Sequence, residues 1–229
     1  MTNFSIVIPA LNEEKNIKKL IPIIYEFVET SIHNFEVILI IGPDEQISIK
    51  KKYENLHIIN RQKILFSSAL ICGITHAKNN YLITMDADCS HSFSEIISRV
   101  DYFVQNNLDI LIFSRHLSDS QNYENIINII FSKLLNSFLR FNSKLKLTDY
   151  SNNLRIFKKS IMSNEPFISK HFEFLYEFLI KAKHNLPDLK IVEVPATHLK
   201  RSHGRSKKNH IRYLLRYIFL IIRLRFRKL

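Results

Sequence analysis

Two aspartates one residue apart are the residues in this chain that are best suited to chemistry. Asp86 and Asp88 flank Ala87 and follow a short apolar run, YLITM. Side chains at i and i+2 of an extended segment point to the same side, so both carboxylates can bind one hard divalent cation, Mg²⁺ or Mn²⁺. Such a cation can bridge two phosphates and stabilise a departing diphosphate. The alternative is a solvated turn that caps the next helix, and the tripeptide alone leaves both readings open.

Alternating strands and helices must position this acidic pair. Apolar, β-branched runs predict strands at residues 4–9, 35–41, 56–59, 81–85 and 109–114. Helical spacing of apolar residues predicts helices at 12–30, 65–77 and 92–106. This alternation is typical of an α/β fold whose parallel sheet is covered on both faces. Ligands of such sheets bind at the carboxyl ends of strands, where Asp86 and Asp88 lie.

The second half of the chain is less regular but shows no linker and no repeat. Its patterns predict helices at 123–141 and 171–184 and strands at 154–157 and 190–194. We therefore expect one domain over residues 1–208, followed by a helix at 209–229.

Charge is distributed unevenly along the chain. The formal net charge is +12, eleven of the 33 lysines and arginines follow residue 199, and no Asp or Glu follows Glu193. A nearly neutral domain thus carries a basic tail, which needs an anionic partner: phosphate groups, an acidic membrane surface or nucleic acid. Nucleic acid is not favoured, because the tail lacks the basic and aromatic interleaving of such modules.

Composition excludes several kinds of site. Gly42, Gly73 and Gly204 are the only glycines, and they cannot form a G-x-G-x-x-G or P-loop phosphate site. Cys72 and Cys89 form no Cys-x-x-Cys pair, which excludes zinc ribbons and thioredoxin-like centres. The sequence shows neither a signal peptide nor an apolar stretch of about 18 residues. We therefore expect a cytoplasmic location.

Motifs in a fixed order resemble those of family 2 glycosyltransferases with the GT-A fold. Residues 85–91, MDADCSH, resemble the metal-binding segment of one subgroup, the dolichol-phosphate mannosyltransferase-like enzymes that act on polyprenyl phosphates. The other matches are SIVIPALNEE at 5–14, Ser114-Arg115, TDYSNNLR at 148–155, and VEVP at 192–195 with RSHGRSK at 201–207. Together these matches span nearly the whole chain.

The resemblance implies an inverting transfer of one sugar from a nucleotide-sugar to a polyprenyl phosphate of the dolichyl or undecaprenyl type. It also implies the fold of the nucleotide-diphospho-sugar transferases, a Rossmann-like mixed sheet flanked by helices. The implied cofactor is Mg²⁺ or Mn²⁺, held by Asp86, Asp88 and Ser90.

The same resemblance implies three groups of site residues. The nucleotide-sugar site would consist of Pro9, Leu11, Glu13, Asp44, Asp86, Ala87 and Asp88. The phosphates of donor or acceptor would be bound by Arg115, Arg201, His203, Ser206 and Lys207. The catalytic residues would be Asp88, Arg115 and Asp149, and both Asp149 and Glu177 match positions that face the cleft in relatives.

The end of the second strand departs from the family pattern. Relatives usually carry one or two aspartates there that contact the base or ribose, whereas this chain has only Asp44, with an apparent deletion of one residue. The sugar and the nucleotide are therefore not predicted, and a non-catalytic, membrane-binding scaffold remains an alternative.

The chemistry of the acceptor distinguishes two possible reactions, transfer to a phosphate and transfer to a hydroxyl. A phosphate monoester is already an anion near neutral pH, so it needs no strong base but does need cations against phosphate–phosphate repulsion. Residues 200–208 supply such cations. The alternative acceptor is a saccharide hydroxyl in surface polysaccharide or glycolipid assembly, which requires a carboxylate base, with Asp149 as the candidate.

The helix predicted at 209–229 is basic and amphipathic. Its predicted apolar face comprises Ile211, Leu214, Leu215, Ile218, Ile222, Phe226 and Leu229. Such a helix can lie in the headgroup plane of an anionic membrane, and the alternative is a helix that packs on the domain. We expect peripheral attachment to the cytoplasmic face of the membrane.

Overall fold

Nine β-strands occur in the computed structural model, which describes residues 1–43, 45–49, 51–62, 65–203 and 209–226. They are β1 (Asn3–Pro9), β2 (Asn34–Ile41), β3 (Leu56–Asn60), β4 (Tyr81–Thr84), β5 (Ile110–Ser114), β6 (Gln121–Asn122), β7 (Arg155–Lys158), β8 (Ile191–Pro195) and β9 (Thr197–His198). Seven of them form one sheet in the order β3-β2-β1-β4-β7-β5-β8, while β6 and β9 pair with each other.

Helices cover both faces of this sheet. Within the described ranges they are α1 (Glu14–Val28), α2 (Phe66–His76), α3 (Phe93–Gln105), α4 (Ile126–Phe141), α5 (Phe174–Asn185) and α6 (His210–Phe226). Every predicted helix and strand is confirmed, with ends that move by at most three residues where they can be compared. The short strands β6 and β9 were not predicted, because two-residue strands carry no periodicity.

The sheet is mixed, as the family resemblance implies. β3, β2, β1 and β4 are mutually parallel, in agreement with the strand–helix alternation. β7 then runs antiparallel between β4 and β5, and β5 pairs in parallel with β8. β5 and β8 therefore run in the same direction as β4, so the parallel arrangement predicted for the strands of the first 115 residues is confirmed and β7 is the antiparallel strand of the sheet. Local alternation cannot reveal β7 as the neighbour of β4, because that pairing joins distant segments.

Alternating residues of the central strands enter two separate cores. Along β1, Ile6 and Ile8 pack on the side of α1 and α3, whereas Val7 packs on the side of α2, α5 and α6. Burial of both faces explains why these strands are continuous apolar runs instead of alternating patterns.

Gly73 allows α2 to approach the sheet closely. A Cβ atom built on this residue would lie 2.3 Å from Val7 Cγ1, which is far inside van der Waals contact. The close approach brings α2 against β1, the strand that leads into the candidate site.

One face of α6 belongs to the main core. Tyr213, Tyr217, Leu220, Ile221 and Leu224 are buried, so the helix packs on the domain. Ile211, Leu215, Ile222 and Phe226 of the predicted apolar face stay exposed, together with Phe219. Leu214 and Ile218 are half-buried, and Leu229 lies outside the described residues. The buried face is thus the tyrosine face, and the exposed apolar stripe is a second, separate face.

Among the helices of the described ranges, none has both the length and the apolarity needed to cross a bilayer.

Candidate functional site

The acidic pair lies in the loop after β4, at the edge of the sheet where β1 also ends. Asp86 Oδ1 accepts a hydrogen bond of 3.0 Å from Asn153 Nδ2. Asn153 precedes β7, and the antiparallel direction of β7 brings this residue to the same edge. Its backbone oxygen accepts a 2.6 Å bond from the Thr84 hydroxyl. The neighbouring strand therefore orients Asp86.

Asp88 is held by its own turn. Its Oδ1 accepts a 3.1 Å hydrogen bond from the Ser90 backbone amide. Cys89, between them, has a φ of 60°, a left-handed conformation that costs a non-glycine residue energy and is common at functional sites. Burial is the largest influence on the Cys89 thiol and raises its pKa, so the thiol is a poor nucleophile.

Arg201 connects the basic C-terminal segment with the acidic pair. Its guanidinium lies 3.1 Å from Asp88 Oδ2 through Nη2, and 2.7 Å from Glu13 Oε1 through Nη1. Glu13 lies just before α1, so this arginine joins the loops that follow β1 and β4. Three residues that the sequence assigns to one site therefore touch in the structure.

Backbone hydrogen bonds keep the segment before Arg201 in place. The Leu199 amide donates to Ser90 O at 2.8 Å, and the Ser202 amide donates to Asp88 O at 3.1 Å. His198 and His91 form an isolated β-bridge in the same region. The C-terminal segment therefore lies along the Asp-Ala-Asp loop as an additional strand-like edge.

The residues of this loop suit a hard divalent cation. Asp86 and Asp88 are partly exposed and offer carboxylate oxygens. The Ser90 hydroxyl is buried without a hydrogen-bond partner among the described residues, so it is available as a further oxygen donor. No group of three or more His, Cys, Asp or Glu side chains in the described ranges can hold a metal by itself. Mg²⁺ commonly uses one or two carboxylates together with water and substrate phosphates, and the Asp86 and Asp88 carboxylates supply that number.

Arg115 and Asp149 form a buried ion pair beside this loop. Arg115 Nε donates to Asp149 Oδ2 at 2.7 Å, and its Nη2 donates to Oδ1 at 2.9 Å. Nη2 also donates to the Ser151 hydroxyl at 2.8 Å. This two-point contact fixes the plane of the guanidinium.

The ion pair shifts the pKa values of both partners away from neutrality. Burial by itself would raise the pKa of Asp149, but the charge of Arg115 and its hydrogen bonds outweigh burial, so this pKa lies well below its ordinary value. Burial by itself would lower the pKa of Arg115, but the Asp149 carboxylate raises it above its ordinary value. Asp149 is fully buried. It therefore holds Arg115 and does not face the cleft as the resemblance implied.

A second carboxylate supports the segment that carries Asp149. Glu193 on β8 accepts bonds of 2.7 Å from the Thr148 amide and 2.8 Å from the Asp149 amide. Arg155 lies behind this turn and donates to the carbonyl oxygens of Tyr150, Asn152 and Leu175. Burial lowers the pKa of Arg155 to about 10, so it stays charged near neutral pH as a structural residue.

Glu177 does not face the cleft either. Its side chain is fully buried on α5, and its carboxylate accepts hydrogen bonds from the amides of Ile168 and Ser169 and lies 3.3 Å from Lys181 Nζ. The position facing the cleft was implied by the family resemblance alone, since the neighbours of Glu177 on α5 are apolar. The structure shows that this glutamate ties a preceding loop to the helix.

The remaining predicted residues lie around the same edge, where they are described. Leu11 is exposed in the loop after β1, Pro9 ends that strand, and Ala87 is buried between the two aspartates. The His203 side chain is exposed, and its backbone oxygen accepts a 3.3 Å bond from Asn16 Nδ2. Asp44, Ser206 and Lys207 lie outside the described residues.

Several residues that contact this site are not prominent in the sequence. Asn16 bonds to both Glu13 and the His203 carbonyl, and Glu45 accepts a hydrogen bond from the Asn12 amide. His91 is buried with Nε2 at 3.5 Å from Asp86 Oδ2. His91 belongs to the MDADCSH motif, which was a usable signal. Asn16 and Asn153 gave none, because only the strand order and the helix position bring them here.

A small cavity of about 40 Å³ adjoins Arg115. Ser151 lines it from the loop before β7 and His198 from β9, whereas Phe131, His210 and Tyr213 line it from α4 and α6. The ring of Phe131 stacks on that of His210 with centroids 4.4 Å apart. The Arg115 side of the site therefore opens toward the first turns of these two helices.

Comparison with solved structures supports the fold. Glucosyl-3-phosphoglycerate synthase from Mycobacterium tuberculosis, in complex with Mn²⁺, UDP and phosphoglyceric acid, superposes with a TM-score of 0.68 at 15% identity, over 96% of this chain and 77% of that one. The same enzyme with Mg²⁺ and UDP gives a TM-score of 0.67 at 15% identity, over 96% and 78%. The GT-A fold is thereby confirmed.

Two curated proteins are similar in sequence. Dodecaprenyl-phosphate galacturonate synthase from Rhizobium johnstonii is 26% identical over 89% of this chain and 61% of its own length. Dolichol-phosphate mannosyltransferase from Pyrococcus furiosus is 28% identical over 96% of this chain and 63% of its own length. The chain thus spans about three fifths of the length of these relatives.

A family profile settles the classification. The profile described as Glycosyl transferase family 2 matches residues 5–164, which include most of β1 and the Asp-Ala-Asp loop. The chain belongs to glycosyl transferase family 2.

Proposed function

We propose that this chain transfers one sugar from a nucleotide-sugar to a polyprenyl phosphate, with inversion at the sugar. The observation that carries the proposal is the position of Arg201, which contacts both Glu13 and Asp88. It places a cation of the C-terminal motif at the acidic pair, where two phosphate-bearing substrates would have to meet. The two curated relatives support the choice of acceptor, since their names specify dodecaprenyl phosphate and dolichol phosphate.

Asp86 and Asp88, with the Ser90 hydroxyl, are proposed to hold Mg²⁺ or Mn²⁺. The bound cation would neutralise the diphosphate of the donor as its bond to the sugar breaks. The metals in the two synthase structures support this assignment. Asn153 and His91 would keep the Asp86 carboxylate turned toward the edge of the sheet.

The donor nucleotide is proposed to lie over the ends of β1 and β4. Pro9, Leu11 and Glu13 would line this pocket from the first loop, and Ala87 from the second. Asp44, which follows β2, is also proposed to line the nucleotide pocket, and this assignment rests on the family resemblance alone. The hydrogen bond between Glu45 and the Asn12 amide ties the end of β2 to the same loop, which adds one described carboxylate to this side of the pocket.

The acceptor phosphate is proposed to bind near Arg115, with Arg201, His203, Ser206 and Lys207 as further contacts. Asp149 fixes the Arg115 guanidinium, so this cation needs no reordering when the phosphate arrives. The phosphate oxygen itself would attack the sugar carbon, because it is already ionised near neutral pH. A saccharide hydroxyl would need a base, and a fully buried carboxylate with a lowered pKa serves that purpose poorly.

We further propose that the exposed face of α6 attaches the protein to the cytoplasmic face of an anionic membrane, while its buried face packs on the domain of residues 1–208. Its exposed stripe is apolar, and α6 contains no acidic residue. An amphipathic basic helix of this type binds the headgroup region. A lipid acceptor would be presented at that surface.

Nucleotide binding is the first test of this function. UDP, GDP, dTDP and CDP would each be added with and without Mn²⁺, and the melting temperature of the full chain would be measured. A ligand that binds only the folded state raises this temperature. We expect a metal-dependent rise with one nucleotide that is lost in Asp88→Asn and kept in Asp101→Asn, a matched change at an exposed aspartate on α3 that pairs with His33.

Transfer is the second test. With the nucleotide identified, the corresponding labelled nucleotide-sugar is incubated with a short-chain polyprenyl phosphate, and the extracted lipid is counted. Label in the lipid that requires Asp88 supports the proposal. Transfer only to a saccharide would replace it with the hydroxyl-acceptor reading. An absence of nucleotide binding would replace it with a non-catalytic scaffold.

A further inference from the structure

A second, larger cavity lies at the other end of α4 and α6, away from the candidate active site. Its volume is about 470 Å³, within the range of roughly 300–1,000 Å³ that is typical of ligand pockets. Its apolar floor is formed by Leu145, Tyr176, Ile180, Ile221 and Leu224, and all of them are buried or half-buried. None of these residues belongs to the site described above.

The polar part of this cavity is entirely cationic or neutral. Lys144, Lys183 and Arg225 line it together with His184, and none of the twelve lining residues is acidic. None of the three permanent cations forms an ion pair with a carboxylate of the described chain. Arg225 Nη2 donates to Asn142 Oδ1 at 2.9 Å, and Lys183 Nζ donates to the Pro187 carbonyl. These positive charges are therefore available to an anion.

Exposed aromatic residues lie beside the cavity. Phe141 is the last residue of α4 and Phe226 the last of α6, and they are 88% and 86% exposed. Phe141 precedes Asn142 in the sequence, Phe226 follows Arg225, and both Asn142 and Arg225 line the cavity. The contact between those two lining residues shows that the helices end side by side. The surroundings of the cavity therefore combine apolar rings with basic side chains.

Exposed apolar residues continue from these ends along both helices. On α4 they are Ile126, Ile127, Ile130 and Leu134, and on α6 they are Ile211, Leu215, Phe219 and Ile222. Neither helix contains an acidic residue. The arginines of α6 complete the pattern of a helix that lies in a bilayer interface, and α4 adds further exposed apolar residues. The cavity is thus located at one end of a surface that suits lipid.

We propose that this cavity binds one anionic phospholipid of the membrane on which the α4 and α6 stripes rest. Lys144, Lys183 and Arg225 would contact the phosphate, for which a guanidinium provides two parallel donors and an ammonium a compact charge. The first carbons of an acyl chain would cover the floor of Ile180, Ile221 and Leu224. The inference rests on the membrane contact proposed above, but its binding site is distinct from that of donor and acceptor.

The residues that line the cavity favour a ligand with both an anionic group and an apolar chain. A free phosphate ester would satisfy the cations but leave the apolar floor in water. A neutral or zwitterionic lipid would cover the floor but supply no net charge to three unpaired cations. An anionic lipid satisfies both, and it also explains why the charged residues surround an apolar base.

The probe for this site is a short-chain lipid that stays monomeric. Dihexanoyl phosphatidylglycerol, dihexanoyl phosphatidylcholine and glycerol phosphate are titrated separately into the full chain below their micelle concentrations, and heat and melting temperature are recorded. We expect phosphatidylglycerol to bind at least tenfold more tightly than either comparison compound. Equal binding of glycerol phosphate would assign the site to free phosphates, and equal binding of phosphatidylcholine would remove the charge argument. Either result overturns the proposal.

Two variants test the location. Lys144→Glu with Arg225→Glu reverses two exposed charges of the lining, and Ile180→Trp fills the floor. Each should weaken phosphatidylglycerol binding at least tenfold. The matched control, Lys15→Glu with Lys52→Glu, makes the same charge change at exposed lysines outside the cavity and should bind like the wild type. Wild-type affinity in both cavity variants, or equal loss in the control, contradicts the assignment.

The same proteins separate this inference from the proposed function. The nucleotide-dependent rise in melting temperature should be identical in the wild type and in both cavity variants, because no lining residue touches the acidic pair. Loss of phosphatidylglycerol binding with intact nucleotide binding supports a separate lipid site. A wild-type chain that binds nucleotide but not the short-chain lipid would refute the lipid site and leave the transferase proposal standing.

Discussion

The guanidinium of Arg201 lies 3.1 Å from the carboxylate of Asp88. One residue belongs to the basic C-terminal segment and the other to the loop after β4, so this contact joins segments that are about half of the chain apart in sequence. The same guanidinium also contacts Glu13. Two carboxylates that would repel each other thereby share one cation, and the cation is held where a diphosphate would need it.

Removal of this cation should weaken donor binding more than metal binding. In Arg201→Ala, we expect the affinity for the nucleotide and the transfer rate to fall about 10- to 100-fold, the size of a lost charge-assisted hydrogen bond of about 1.5–3 kcal/mol. Binding of Mn²⁺ alone should not weaken, because Asp88 loses a competing cation. Isothermal titration with Mn²⁺ and then nucleotide separates the two effects. Arg99→Ala, a half-buried arginine on α3, is the control, and equal losses in both variants would contradict the role of Arg201.

The Arg115–Asp149 pair should stabilise the fold in a pH-dependent way. Asp149→Asn removes one charge of a buried ion pair, and we expect a loss of about 3–5 kcal/mol of unfolding free energy near pH 7. Because the folded pKa of Asp149 is depressed, its contribution is fully present above the unfolded pKa of about 3.9. It is lost as the pH falls below that value toward the folded pKa.

Urea unfolding at pH 7, 5, 4 and 3 measures this dependence. The difference between wild type and Asp149→Asn should be constant from pH 7 to 5 and should shrink below pH 4. Asp119→Asn changes an exposed aspartate and should leave stability nearly unchanged. A difference that grows as the pH falls would contradict the sign derived from the ion pair.

Gly73→Ala should destabilise the protein even though alanine favours helices. The helix propensity gain is about 1 kcal/mol, but the new methyl group would lie 2.3 Å from Val7 Cγ1. Overpacking of this kind costs about 1–3 kcal/mol, and we expect a net lower melting temperature. At Gly42 the methyl group would meet only the flexible Glu45 side chain, at 3.1 Å. Gly42→Ala should therefore be close to neutral, and a more stable Gly73→Ala would refute the close packing.

Charged substitutions on the exposed stripe of α6 should release the protein from anionic vesicles. Leu215→Glu with Phe219→Glu places two acids on a face that is exposed, so the melting temperature should change little. Pelleting with vesicles of phosphatidylglycerol and phosphatidylcholine should fall several-fold. Ile32→Glu changes an apolar residue that is 68% exposed elsewhere, and it should pellet like the wild type.

Deletion of α6 is a less informative test of membrane binding. The helix contributes Tyr213, Tyr217 and Leu224 to the core, so its removal should lower the melting temperature as well as membrane binding. If the double glutamate variant pellets normally, then the stripe of α6 does not contact the membrane.

Local residue patterns were sufficient to predict the helices and strands and part of the candidate site. β1 and β4 were recognisable because strands buried on both faces are short apolar runs, and the Asp-Ala-Asp segment was recognisable because it interrupts such a run at its end. These features depend on side-chain types at fixed separations, which a sequence displays directly. The mixed sheet and the assignment of Arg201 to the substrate phosphates were implied by the family resemblance.

The roles of Asp149 and Glu177 could not be derived in the same way. Asp149 has polar neighbours along the chain and Glu177 has apolar ones, yet both are fully buried. Whether a carboxylate faces a cleft or a neighbouring arginine depends on which strand fills the gap between β4 and β5. That pairing joins segments far apart in the sequence, so no local periodicity encodes it.

The surface formed by α4 and α6 shows most clearly which features follow from local residue spacing and which from tertiary packing. The sequence by itself determined that α6 is a helix with apolar and basic residues, because a period of 3.6 is a property of residue spacing. Only the tertiary structure decided that its tyrosines enter the core, that its other apolar residues stay exposed beside those of α4, and that a cationic cavity forms where both helices end. Burial is decided by which surfaces meet, and those surfaces come from helices that are separated by most of the second half of the chain.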